Sequence, residues 1–151
     1  MHYDFRIIRV TERSMMAVHA QTKGDLPQTI IGSLDKVWAY LRTANANAGH
    51  NVVVYRHCDP DSGVMDIDVG VLVDAPLAGD GMVVPASTPA GTVVATTHIG
   101  PYDKLGEASA ALHDYCKQNG HPIVGPTWEE YGDWVNDPSQ LRTDVFALVE
   151  R

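Results

Sequence analysis

Apolar residues recur at Leu26, Ile30, Leu34, Val37, Trp38 and Leu41. This is the three-to-four spacing that turns one face of a helix toward a core. Asp25 stands where an N-cap belongs, and Pro27 falls in the first turn, where its missing N–H costs nothing. A second helix is expected after Gly100-Pro101, burying Tyr102, Leu105, Leu112, Tyr115 and Cys116 and closing at Asn119-Gly120. Elsewhere the period falls to two, the signature of a half-buried strand. Such segments run from Asn51 to His57, Val64 to Val73, Thr92 to His98, Thr127 to Tyr131 and Arg142 to Val149. Phe5 to Val10 and Met15 to Ala20 are also strand-like.

The order strand, helix, strand, strand occurs twice. Ile30 and Leu105, Val37 and Leu112, Tyr40 and Tyr115, and Leu41 and Cys116 are each 75 positions apart. Past the helices Tyr55 and Tyr131, Asp68 and Asp144, Val69 and Val145, and Leu72 and Leu148 are each 76 apart. Two copies are too few for a solenoid. The expected fold is therefore α+β: two pseudo-symmetric strand-helix-strand-strand repeats forming antiparallel sheet, two helices packed on it, and a ligand cleft between the halves. Repeat one covers about 5–73 and repeat two about 91–151, within one domain of 1–151. The connector 74–90, with Pro76, Gly79, Gly81, Pro85 and Pro89, reads as a surface loop.

Nineteen acidic against eleven basic residues give a net charge of −8. That field repels phosphate backbones, so no direct nucleic-acid partner is expected, while a cationic ligand is concentrated. No apolar run is long enough to span a bilayer and no signal peptide is recognisable, so a cytoplasmic protein without a membrane partner is expected. Cys58 and Cys116 form no CxxC pair, and Cys116 reads as a buried free thiol. His57, Cys58 and Asp59 are adjacent metal-ligand types, but neighbours on a strand point to opposite faces and no second cluster accompanies them. No metal or other cofactor is expected. Serine-hydrolase elbows and phosphate loops are absent from the sequence.

Three motifs follow one another in the second half: His98-Ile99-Gly100-Pro101-Tyr102, then Gly125-Pro126-Thr127-Trp128-Glu129-Glu130-Tyr131, then Asp137-Pro138 with Thr143-Asp144-Val145. The first half carries the counterparts Val54-Tyr55-Arg56-His57 and Asp66-Ile67-Asp68-Val69-Gly70-Val71. In order and spacing the chain resembles the GyrI-like domain over almost its whole length. That family includes effector-binding halves of AraC-type and MerR-type regulators, stand-alone domains, a small gyrase-inhibiting protein, and members that hydrolyse cyclopropane-bearing natural products. With no helix-turn-helix ahead of the first strand, the expectation is a stand-alone domain rather than a whole transcription factor.

The resemblance singles out Glu129, whose counterpart in regulator members lies at the bottom of an aromatic-lined pocket and meets the ligand's positive charge. On the strand, Thr127, Glu129 and Tyr131 share one face and Trp128 and Glu130 the other. The 76-residue offset sets Glu129 on Val53 and Tyr131 on Tyr55, so a carboxylate interrupts a face that is apolar in the other repeat. Such a group, taken from water, either attracts a cation or keeps its proton. Tyr55 and Tyr131 supply flat apolar area and cation–π attraction, with Trp38 and Trp128 as further candidates whose simpler role is core packing. His98 reads as structural, Tyr102 as core. The leading expectation is a non-catalytic domain binding an apolar, drug-like molecule, with a cation as one option. The alternative is a hydrolase of cyclopropane-bearing genotoxic products, with Glu129 handling the proton and Tyr55 or His57 orienting substrate. A second alternative is a protective protein acting on gyrase. A separate regulator or gyrase would then be the protein partner.

Overall fold

A computed structural model describes residues 2–151. Its elements are β1 (Phe5–Val10), β2 (Ser14–Thr22), α1 (Leu26–Ala44), β3 (Ala48–Cys58), β4 (Met65–Val73), β5 (Val83–Ser87), β6 (Gly91–Ile99), α2 (Leu105–Gln118), β7 (Thr127–Tyr131) and β8 (Arg142–Glu150), with short 3-10 turns at Tyr102–Lys104 and Pro138–Gln140. The fold is α+β, and its strands pair antiparallel. None of the described helices is long and apolar enough to cross a membrane.

The chain forms two compact units. The first, Glu12–Thr88, pairs its strands in the order β3-β4-β2-β5. Helix α1 lies over this sheet and buries Val37 and Leu41 against Met16, Val18, Val71 and Val83. Side chains of this size each stabilise the fold by about 1.5–3 kcal/mol when fully buried. Asp25 does occupy the N-cap, yet its carboxylate accepts from the Thr22 hydroxyl and makes no cap to the helix amides. The helix stops at Asn45, whose left-handed φ of +52° turns the following Ala46 N–H back onto the Leu41 carbonyl at 3.3 Å.

The second unit joins the residues up to Thr11 to Pro89–Arg151 and has the order β1-β6-β8-β7. Helix α2 buries Leu105, Ala108, Leu112 and Cys116 against Val94, Val145 and Ala147. Phe5 stacks on Tyr115 at 4.4 Å and closes the edge of that cluster. Burial pushes the Cys116 thiol up from its ordinary pKa, as suits an inert core cysteine.

The repeat is visible in the pairing. Val53 faces Val69 and Tyr55 faces Ile67, while 76 positions later Glu129 faces Val145 and Tyr131 faces Thr143. The helix-preceding strands differ by 78 instead: Met16 faces Val71, and Val94 faces Ala147. Between equivalent positions of this strand and the following helix, repeat one therefore carries three more residues than repeat two: Met16 to Ile30 spans 14 positions, Val94 to Leu105 spans 11. The segment 74–90 is not only loop. It carries β5, which pairs with β2, whereas β1 pairs with β6. Each unit is therefore completed by the strand that precedes the other repeat in the chain, and Pro85 is tolerated because β5 is the outer strand of its sheet.

Candidate functional site

Strand β7 sets Thr127, Glu129 and Tyr131 on one face, and the register extends that face across the unit. Thr127 lies in a row with Ala147 and Val94, Glu129 with Val145 and Thr96, and Tyr131 with Thr143 and His98. Val94, Val145 and Ala147 are the residues packed beneath α2, so this is the helix-covered side of the sheet. The same rows in the other unit read Val53-Val69-Val18 and Tyr55-Ile67-Ala20. Four apolar positions of one repeat, Val53, Val18, Ile67 and Ala20, thus become Glu129, Thr96, Thr143 and His98 in the other. The polar set occurs in one unit alone.

Glu129 is buried, at 6% exposure. The Tyr131 hydroxyl donates to its Oε1 at 2.8 Å, a bond available because residues two apart on a strand stand side by side. Removing a hydrogen-bond partner from a buried polar group costs about 1–3 kcal/mol, so this bond supports the buried carboxyl group. Tyr102, expected as core, is instead 40% exposed and meets the Tyr131 ring edge-on at 5.5 Å. Burial of its inner part raises its phenol pKa, so the hydroxyl stays protonated. Glu129, Tyr131 and Tyr102 together form a carboxylate flanked by an aromatic pair.

His98 is fully buried, and its two bonds determine its tautomer. Nε2 lies 3.1 Å from the Pro101 carbonyl, which only accepts, so Nε2 carries the hydrogen. Nδ1 then accepts from the Tyr3 hydroxyl at 2.9 Å. The Tyr3 phenol is held in its protonated, donating form by burial and then by the negative charge of Glu107, both of which raise its pKa. Gly100 has φ +146°, a conformation side chains disfavour, and its N–H bonds the Leu141 carbonyl at 2.8 Å. His98 is thus a clamp for the β6–α2 turn, and Thr96 ties β6 to the N-terminal segment by donating to the Asp4 carbonyl at 2.7 Å.

Trp128 points to the face opposite Glu129 and stacks on Phe146 at 5.1 Å. In the other unit the Trp38 indole donates to Asn51 Oδ1 at 2.9 Å and packs against the α1 core, the packing role. Tyr55 is half-buried on the α1 side of its sheet. His57 does not share that side. A bulge between Tyr55 and His57 inserts one residue, so that Tyr55 faces Ile67 but His57 faces Asp66. Simple alternation would keep Tyr55 and His57 together; the extra residue turns His57 outward, where it is exposed. Arg56, beside it, donates to Asp68 Oδ2 at 2.8 Å. Among the described residues no three metal-ligating side chains converge.

The family model described as "GyrI-like small molecule binding domain" matches residues 3–150. A comparison with curated proteins finds no match. Among solved structures, the C-terminal domain of EcmrR superposes with a TM-score of 0.84 at 19% identity, covering 100% of this chain and 99% of that domain. Against the EcmrR chain of an EcmrR–DNA complex the TM-score is again 0.84 at 20% identity, and the match covers 99% of this chain but only 58% of that longer one. SAV2435 bound to tetraphenylphosphonium gives 0.68 at 15% identity, covering 97% and 94%. A hydrolase from Listeria innocua gives 0.60 at 12%, covering 95% and 90%. At such identities these likenesses speak to the fold.

Proposed function

Since the chain belongs to the GyrI-like small-molecule-binding domain family, we propose that Glu129, with Tyr131 and Tyr102, forms the recognition end of a site for an apolar aromatic cation. The observation that carries this is the burial of Glu129 on the helix-covered face, where the other repeat has Val53. The fold does not require a charge there, and a carboxylate withdrawn from water attracts a cation far more strongly than a solvated one does. Tyr131 and Tyr102 supply aromatic surface for the ligand's rings and cation–π attraction for its charge. Tyr131 has a second use, because its hydroxyl supports the carboxylate while no ligand is bound. The net charge of −8 favours arrival of cations and opposes phosphate backbones, so the proposed partner is a small molecule and not a nucleic acid.

Tetraphenylphosphonium, the ligand in the SAV2435 structure, is a suitable probe. Calorimetric titration should show saturable binding, weakened about 10- to 100-fold in Glu129→Gln, the range expected for losing a charge-assisted contact. Mass spectrometry should recover the cation intact. Equal affinity of the two proteins would show that Glu129 is not the counter-charge, and a chemically altered ligand would establish catalysis.

A further inference from the structure

We infer that Thr143 is a specificity-determining residue of the proposed cation site, using its hydroxyl to select aromatic cations that carry a hydrogen-bonding group. This rests on the reading of Glu129 above. Thr143 is fully buried, and its Oγ1 is the one buried side-chain polar atom among the described residues that has no hydrogen-bond partner. Other buried threonines here do not share that condition. Thr96 donates to the Asp4 carbonyl, Thr88 accepts from the Arg13 N–H at 2.9 Å, and Thr22 donates to Asp25.

The position itself does not call for a hydroxyl. The counterpart of Thr143 is Ile67, fully buried and apolar, facing Tyr55 as Thr143 faces Tyr131. Of the four polar replacements on this face, His98 and Thr96 are bonded to the N-terminal segment, and Glu129 is bonded to Tyr131. Thr143 alone keeps an unused donor and acceptor. It lies directly across from Tyr131 and diagonally from Glu129, a spacing of roughly 7–8 Å between backbones that a single ring substituent bridges. Tyr131 is half-buried and Tyr102 is 40% exposed, so a ligand that takes over the Glu129 carboxylate displaces the Tyr131 hydroxyl and uncovers the neighbouring threonine. An unpaired buried hydroxyl lowers the stability of the empty protein and is rewarded when a ligand pairs it.

A matched ligand set isolates this group: tetraphenylphosphonium, which has no hydrogen-bonding atom, and the 3- and 4-hydroxyphenyl triphenylphosphonium ions. With the intact protein, at least one hydroxylated ion should bind about tenfold more tightly than the parent, the upper end for one neutral hydrogen bond. In Thr143→Val that preference should disappear while affinity for the parent stays within about twofold. The empty valine variant should melt about 2–4 °C higher, because a methyl replaces an unpaired hydroxyl. Thr143→Ala should also lose the preference and Thr143→Ser keep it, so the test survives poor folding of any one variant. A preference that is absent from the native protein, or that persists in the valine variant, would overturn the role of Thr143 and leave the cation site standing. Failure of native protein to bind any of the three ions would overturn the cation site and this inference with it.

Discussion

Replacing Tyr131 with Phe removes one oxygen and leaves the ring. The lost hydroxyl is the one that donates to Glu129 Oε1 at 2.8 Å, and Glu129 is 6% exposed, so water cannot simply take its place. Removing one hydrogen-bond partner of a buried polar group costs about 1–3 kcal/mol, and about 2 kcal/mol is the central value for this one. In a domain of this size each kcal/mol moves the melting temperature by about 2–4 °C, so Tyr131→Phe should melt about 4–8 °C lower. Urea unfolding should show the loss as a shifted midpoint at unchanged slope, since the surface exposed on unfolding is the same. Ligand should reverse part of the effect. A cation that satisfies Glu129 makes the tyrosine donor less necessary, so saturating tetraphenylphosphonium should narrow the gap between the two proteins. An unchanged melting temperature without ligand would refute the claim that Tyr131 supports a buried carboxylate.

Tyr3→Phe should cost about 1–2 kcal/mol by leaving the buried His98 Nδ1 without its donor, visible in thermal unfolding and in the His98 imidazole nitrogen shifts. Cation affinity should stay within about twofold, because that pair clamps a turn and does not meet the ligand. Asp137 has a lowered pKa, first from the Ser139 hydroxyl and then from the Ser139 N–H. Its contribution to stability is therefore present above the ordinary carboxylate value and lost as pH falls through the lower folded one. Carboxyl NMR titration should show the Asp137 midpoint moving back up in Ser139→Ala; an unmoved midpoint would assign the shift elsewhere.

Both helices and five of the eight strands were legible from their hydrophobic period, β1 and β2 as strand-like runs, and the two repeats from the order and spacing they share. The strand β5 was not, since Pro85 and the flanking glycines carry the marks of a loop, and pairing with β2 makes it a strand. For the site, period two placed Glu129 and Tyr131 together and Trp128 on the far face, all visible along a single strand. What the sequence hid depends on pairing between strands. The bulge that turns His57 away from Tyr55 leaves no mark in the alternation of Val54-Tyr55-Arg56-His57. Thr143 was present in a recognised motif, but its unpaired hydroxyl appears only once its neighbours Tyr131 and His98 are known. Tyr102 fitted a helical core pattern and escaped it because the chain takes a 3-10 turn before α2 begins.

The central claim is that Glu129 meets the ligand's charge, and its neighbour Glu130, on the opposite face of β7, is a built-in control. Side-chain carboxyl carbon resonances of both residues, followed while tetraphenylphosphonium is added, test the claim most directly. The account predicts a saturable shift of the Glu129 signal that follows the calorimetric binding curve, with Glu130 unmoved. Binding that leaves Glu129 unmoved, or that moves Glu130 instead, would contradict it.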